Sequence, residues 1–249
     1  MRGLPPGGWR RIDACRAAEP HKRVQNSPSE PNVPNADFAA VPVHPAAGPR
    51  GDIHLYLPEG DTAVPYILGI HGGGWRSGDQ SAYAWLWPKV RPLGIGLALA
   101  SYRLAPEHRF PTAFDDLVAV LAWLQRDGER HRLDPGRCLL FGGSAGGHLA
   151  MLLAARATAE GISSPRLRGV ASYCGIMDLR AQHRWDADRS SPMTHDFLGG
   201  SPADEAARYD SASPLENVHA AMPPVWLAHG SADAEAALGE VQPVAHLPA

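Results

Sequence analysis

From about residue 52 onward the apolar positions of this chain follow two periodicities, and before it they follow neither. The run Asp52-Ile-His-Leu-Tyr-Leu-Pro alternates polar and apolar residues, the pattern of a half-buried strand, and stops at the turn signal Pro58-Glu59-Gly60. Val64–Ile70 is apolar without interruption, as a central strand covered on both faces must be, and residues 95–100, 137–141, 170–174 and 224–229 repeat that character. Between these runs, residues 112–126 carry Phe114, Leu117, Val118, Leu121 and Leu124 on one helical face. Residues 145–156 predict a second helix, and residues 81–90 an aromatic-rich one interrupted by Pro88. Alternating strands and helices across residues 52–230 predict an α/β fold: a mainly parallel sheet, helices on both faces, and ligand sites at the carboxyl ends of the strands.

Two stretches break the pattern. Residues 1–50 hold nine prolines, scattered Arg and Lys, and no sustained apolar period. They are expected to be a largely disordered extension, because such a segment buries too little apolar surface to offset its ordering entropy. Its arginines suit a transit peptide, Asp13 and Glu19 count against one, and an over-extended start is an equal alternative. The folded domain is expected over residues 51–249. Within it, residues 180–220 lack a long periodic stretch and contain His183, His195 and His219. This is expected to be a lid-like excursion over the sheet edge that sets acyl and alcohol specificity.

A length of 249 residues suits one domain. Hydrophobic content of 44% and a net charge of -3 are ordinary and supply no electrostatic footprint for nucleic acid, so a neutral small molecule fits better. Cys15, Cys138 and Cys174 are too widely spaced for a disulfide framework or a metal pair, and the last two read as small core hydrophobes. No apolar run approaches the ~18 residues of a membrane span, and a cytoplasmic location is the expectation. Nothing in the sequence calls for a metal or cofactor.

Chemistry concentrates in two glycine clusters. Leu139-Leu-Phe-Gly-Gly-Ser-Ala-Gly-Gly-His-Leu149 runs from strand character through a serine flanked by glycines into a helix, the layout of a nucleophile elbow centred on Ser144. Side chains at Gly142 and Gly146 are expected to collide with the neighbouring strand and helix. The bare Gly-x-Ser-x-Gly pattern is weak alone. Upstream, His71-Gly72-Gly73-Gly74-Trp75 leaves a buried strand and is suited to present backbone N–H groups to an oxyanion. Gly72 and Gly73, with Ala145 just after the serine, are the candidate donors. A phosphate cradle would want Lys and Ser/Thr after its last glycine, or Gly-x-Gly-x-x-Gly, and neither is present. His148 reads as a packing residue, Asp178 as a turn or cap, and Tyr102, Arg103, Glu107 and Asp115 as groups knitting a loop to the following helix.

Together with Tyr102-Arg-Leu-Ala-Pro-Glu-His108, Phe110-Pro111 and His229-Gly-Ser-Ala-Asp233, these motifs resemble the α/β-hydrolases, in the esterase branch of hormone-sensitive-lipase-like and bacterial feruloyl-esterase-like carboxylesterases. Gly143 stands where many hormone-sensitive-lipase relatives have Asp, so the feruloyl-esterase-like group is the nearer likeness. The resemblance implies Ser144 as nucleophile, Gly72, Gly73 and Ala145 as the oxyanion hole, and Asp233 as the acid that orients a catalytic histidine.

In this fold the triad runs Ser, Asp or Glu, then His, and the one histidine after Asp233 is His246. The resemblance implies a helix and a strand between acid and histidine, about 30 residues in length. The short interval here is expected to reflect a truncated or frame-shifted C-terminus, or a His246 reaching in from a loop. A missing strand and helix would also leave a free sheet edge that invites homo-oligomers. Two functions follow from these motifs. One is a carboxylesterase acting on esters of short acids, with an arylformamidase-like amide hydrolase as a variant. The other is a catalytically silent relative that binds a small ligand.

Overall fold

A computed structural model of the chain describes residues 38–230 and Asp233. His246 lies outside the described residues, as do residues 1–37. Seven strands make one sheet: β1 (Ala39–Pro42), β2 (Asp52–Tyr56), β3 (Val64–Ile70), β4 (Gly96–Ala100), β5 (Leu133–Gly143), β6 (Leu167–Tyr173) and β7 (Val225–Ala228). Their spatial order is β1-β2-β4-β3-β5-β6-β7. The β1–β2 and β2–β4 pairs are antiparallel, and every pair from β4 to β7 is parallel.

The strand period of two divides the core. On β4, Ala98 and Ala100 face a cluster that includes Leu117, Leu121, Leu149 and Leu153, whereas Leu97 and Leu99 face a second cluster with Tyr56, Trp87 and Val90. The first face carries helices α2 (Thr112–Asp127) and α3 (Ala145–Ala159), and the second carries a 3-10 segment, Gln80–Leu86, followed by α1 (Trp87–Val90). Pro88 falls in the first turn of α1, where its missing N–H costs nothing. On α2, Leu117, Leu121 and Leu124 are fully buried, each contributing roughly 1.5–3 kcal/mol of apolar burial.

Two boundaries differ from the sequence reading. The sheet begins at Ala39, a dozen residues before the expected domain start near 51, because β1 needs only four residues to pair with β2 and carries no alternation of its own. Arg50 and the 3-10 turn Pro45–Gly51 therefore belong to the fold. The strand expected over residues 137–141 begins at Leu133, and the segment Asp134-Pro135-Gly136 lies inside it, as a register shift between the Val64↔Leu133 and Tyr66↔Cys138 pairs. There Asp134 Oδ1 accepts the Gly136 N–H at 2.7 Å.

Residues 178–217 form four short helices: α4 (Leu179–Ala187), α5 (Met193–Leu198), α6 (Ala206–Ala212) and α7 (Pro214–Asn217). Asp178 caps α4, accepting the N–H groups of Arg180 and Ala181.

The loop before α2 is anchored by Asp116. Its buried carboxylate accepts from the Arg103 backbone N–H at 2.9 Å and from the Arg103 guanidinium at 2.6–3.1 Å, and it meets His44 Nε2 at 3.1 Å. The expected knitting of loop to helix therefore runs through Asp116 and not through Asp115, which is exposed. Asp116→Ala is expected to lower the unfolding free energy in urea by about 1–3 kcal/mol, because it takes the acceptor from the Arg103 backbone N–H and guanidinium. Asp115→Ala is expected to cost less than about 1 kcal/mol, and equal losses would contradict this assignment.

Candidate active site

β5 ends at Gly143 and α3 begins at Ala145, so the single residue between them makes the whole turn. Ser144 sits there at φ 53°, ψ -125°, a left-handed conformation that a non-glycine residue holds only when its surroundings enforce it. Here they do. The Ser144 N–H donates to Tyr173 O at 2.9 Å, and the Ser144 carbonyl accepts the His148 N–H at 3.0 Å. A Cβ at Gly142 would collide with the Gly146 carbonyl, and one at Gly146 with the Ile70 carbonyl. The hydroxyl makes no capping bond to α3.

Parallel pairing of β3 with β5 brings the other glycine cluster to the same rim. A Cβ at Gly72 would lie 2.8 Å from Gly143 O and 3.4 Å from the Ser144 Cβ, so the loop passes directly beside the serine. Gly73 and Gly74 adopt φ 96° and 59°, and the Arg76 and Ser77 N–H groups both donate to Gly73 O. Ala145 is the first residue of α3, so its N–H is one of the four that an α-helix leaves without an internal acceptor.

An open cavity of about 590 Å³ borders Ser144. Gly72, Gly143, Ser144, Cys174 and Asp233 line it on one side, and Tyr83, Trp85, Phe141, Tyr173 and Trp226 make an aromatic wall. Ser144, Gly72 and Asp233 thus share one space, with Gly73 and Ala145 adjoining them in sequence. Asp233 Oδ2 lies 3.5 Å from His229 Nε2, four positions earlier in the sequence.

No described residue of 180–220 lines this cavity, contrary to the expectation that this excursion determines what the pocket accepts. The aromatic wall comes instead from β5, β6 and β7 (Phe141, Tyr173, Trp226) and from the 3-10 segment (Tyr83, Trp85), where Asp79 caps Ser81 and the buried Gln80 amide donates to Pro49 O and Asp52 O. Cys174 also departs from its core reading. It is partly exposed at φ 49° and lines the same cavity as Ser144, whereas Cys138 is fully buried.

Two buried histidines support the loop. His148 accepts the Trp75 indole N–H on Nδ1 at 3.1 Å and, with its proton on Nε2, donates to Ala212 O at 2.8 Å. Trp75 stacks on Phe197 of α5 at 4.3 Å, so His148 and Trp75 together join the glycine loop to residues 193–212. His71, at the end of β3, contacts Gly72 O through Nδ1 and Ser101 Oγ through Nε2. Burial pushes both rings down to about 4.

This elbow on a parallel sheet, with a glycine loop beside the serine, defines an α/β-hydrolase. Esterase B from Lactobacillus rhamnosis superposes with a TM-score of 0.67 at 25% identity, covering 80% of this chain and 67% of that one. The BD-FAE family model matches residues 53–240, and the chain belongs to that family. Ethyl acetate hydrolase from Pseudomonas putida is 36% identical over 121 residues, which is 47% of this chain and 38% of that protein. Esterase LipI from Mycobacterium tuberculosis is 32% identical over 141 residues, 55% of this chain and 43% of its own length. The chain thus spans about two fifths of the length of these curated relatives.

The two histidines imply acid sensitivity. Each is neutral when folded and has an ordinary value of 6.5 when exposed, so on acidification the unfolded chain takes up protons first. Their contribution is present above about pH 6.5 and is lost as pH falls towards 4, at about 2 kcal/mol per histidine between pH 7 and pH 5. Urea unfolding at those two pH values is expected to show that loss, and His148→Gln to make it shallower. An unchanged slope in the variant would mean that His148 does not titrate on unfolding.

Proposed function

We propose that this protein is a serine carboxylesterase that cleaves esters of short acids through an acyl-enzyme on Ser144. The observation that carries the reading is Ser144 at φ 53° in the elbow, with Gly72 packed against it and Asp233 lining the same cavity. Membership of the BD-FAE family supports it, as do relatives named as an ethyl acetate hydrolase and as esterases.

In this reading the Ser144 hydroxyl attacks the ester carbonyl and gives its proton to a histidine oriented by Asp233. The oxyanion gathers hydrogen bonds from the N–H groups of Gly72, Gly73 and Ala145. Collapse expels the alcohol, which takes the proton from the histidine. Water, deprotonated by the same histidine, then releases the acid and regenerates Ser144. His246 is the proposed base, as the histidine that follows Asp233 in the sequence. The elbow strain serves this chemistry by holding the serine off the helix axis, where its hydroxyl is not used as a cap. The partly exposed aromatic wall offers apolar contact to an acyl or alcohol group of modest size.

Short-chain p-nitrophenyl esters test the reading. The wild type is expected to turn over, Ser144→Ala to lose at least about 10³-fold in kcat, and His246→Ala to fall comparably. Turnover that survives Ser144→Ala would refute the acyl-enzyme. Full activity in His246→Ala would place the base at another residue, and a folded wild type without turnover would favour a silent ligand-binding relative.

A further inference from the structure

The outer side of the glycine loop carries a polar relay for which the reaction as proposed has no use. The His71 ring is buried and stacks on Tyr102, with ring centroids 4.4 Å apart and planes inclined by 12°. Its Nδ1 lies 2.8 Å from Gly72 O, and its Nε2 lies 2.9 Å from Ser101 Oγ. Beyond Ser101, Arg50 Nη1 donates to the same hydroxyl oxygen at 3.1 Å and to Gly78 O at 2.9 Å.

Donor and acceptor chemistry gives this chain a direction. A guanidinium only donates, so Ser101 Oγ accepts from Arg50 and has its one proton free for His71 Nε2. A ring that accepts at Nε2 carries its proton on Nδ1, and the carbonyl of Gly72 can only accept it. The ring is neutral, with burial the main cause and the nearby positive charge of Arg50 acting in the same sense. The Gly78 backbone packs closely against the ring, since a Cβ there would stand 2.5 Å from Nδ1.

Peptide planarity carries the effect to the reacting side. The Gly72 carbonyl and the Gly73 N–H belong to one rigid trans unit and point in opposite directions, so a bond that holds the first aims the second. Tyr102 does the same one unit earlier, its hydroxyl donating to His71 O at 3.0 Å and so orienting the Gly72 N–H. Gly73 lies outside every strand and helix, is exposed, and sits at φ 96°, so no regular ladder fixes its amide.

We propose that Arg50 is a positioning residue for the oxyanion donors: acting through Ser101 and the His71 ring, it fixes the orientation of the Gly73 N–H. The proposal rests on the reading of Ser144 as nucleophile and of Gly73 as a donor to its oxyanion. Arg50 is well placed for a clean test, because it is half-buried at the end of a surface turn and its loss opens no core cavity.

The test uses the full chain with Arg50→Met, which keeps the apolar stem and removes the donors, and Arg50→Lys, which restores one donor. Nitrogen NMR of the wild type is expected to show His71 protonated on Nδ1 alone. In Arg50→Met the His71 Nε2 signal should shift as the Ser101 hydroxyl loses its fixed direction, the ring should be held less firmly against Gly72 O, and the Gly73 amide should shift and exchange faster, with these effects reduced in Arg50→Lys. On a short-chain p-nitrophenyl ester, kcat should fall about tenfold in Arg50→Met with KM within about twofold, less than the 10²–10³ of losing an oxyanion donor outright. Arg50→Lys should recover part of that loss. Unchanged His71 and Gly73 signals in Arg50→Met would overturn the proposal whether or not the wild type turns over. So would altered signals with an unaltered kcat in an active wild type. A wild type without turnover counts against the esterase reading alone, and the ring and amide signals then decide the role of Arg50.

Discussion

Everything at the proposed site depends on how closely three stretches of backbone approach one another beneath Ser144. The end of β3, the end of β5 and the first turn of α3 meet with no side chain between them. A methyl group at Gly142 or Gly146 would drive into a neighbouring carbonyl, and one at Gly72 would sit 2.8 Å from Gly143 O. This contact brings Gly72 and Ser144, 72 positions apart in the chain, into one rim, and it holds the serine at a positive φ that it would not otherwise keep. Glycine is required at Gly142 and Gly146 for space, since neither has a positive φ.

Close backbone packing creates a second demand, because a loop of glycines has no side chains with which to hold itself. The chain meets this with two buried imidazoles, one on each side of the loop. His148 grips Trp75 and ties it to Ala212, while His71 grips Gly72 from behind. Both rings have both nitrogens engaged, the condition under which burying such a group is tolerable. The excursion of residues 178–217 thereby acquires a structural role: through Phe197 and Ala212 it backs the Trp75 side of the loop, although none of its described residues walls the cavity.

These arrangements were unevenly legible in the sequence. The central strands and α2 could be read because burial on a sheet face or a helix stripe imposes a period, and that period survives in the residues whatever lies around them. The elbow could be read because its glycines stand at fixed spacing about one serine, although only the Gly142 need is local, against Gly146, while Gly146 makes room for the end of β3. Neighbouring aspartates could not be told apart by such means. Asp115 and Asp116 differ only in which way α2 turns them, and it is Asp116 that meets Arg103 and His44. Arg50 was hidden for a related reason. It lies in a proline-rich stretch without periodicity, and its partners Ser101 and Gly78 come from other loops, so only the assembled fold shows that this stretch reaches the site. Cys174 and the aromatic wall escaped for want of any local signal, since strand residues at the rim look like core residues until the sheet order is known.

The site therefore divides by physical type. Behind Ser144, backbone contacts, imidazole bonds and the Trp75–Phe197 stack leave little freedom, which suits the proposed role of these amides as donors to a developing charge. In front of it, Tyr173 and Trp226 are each more than half exposed and Trp85 nearly so, and they are held by strand ends and a 3-10 segment with few mutual bonds. Apolar contact is non-directional, so a wall of this kind tolerates variation in what it touches without disturbing the donors behind the serine. On the carboxylesterase reading proposed above, substitutions at Trp85 or Trp226 should then change which esters bind, whereas those at His71 or Ser101 should change how fast a bound ester reacts. The two sets share no described hydrogen bond, and this absence of a shared partner is the physical basis for treating selectivity and rate at this site as separable.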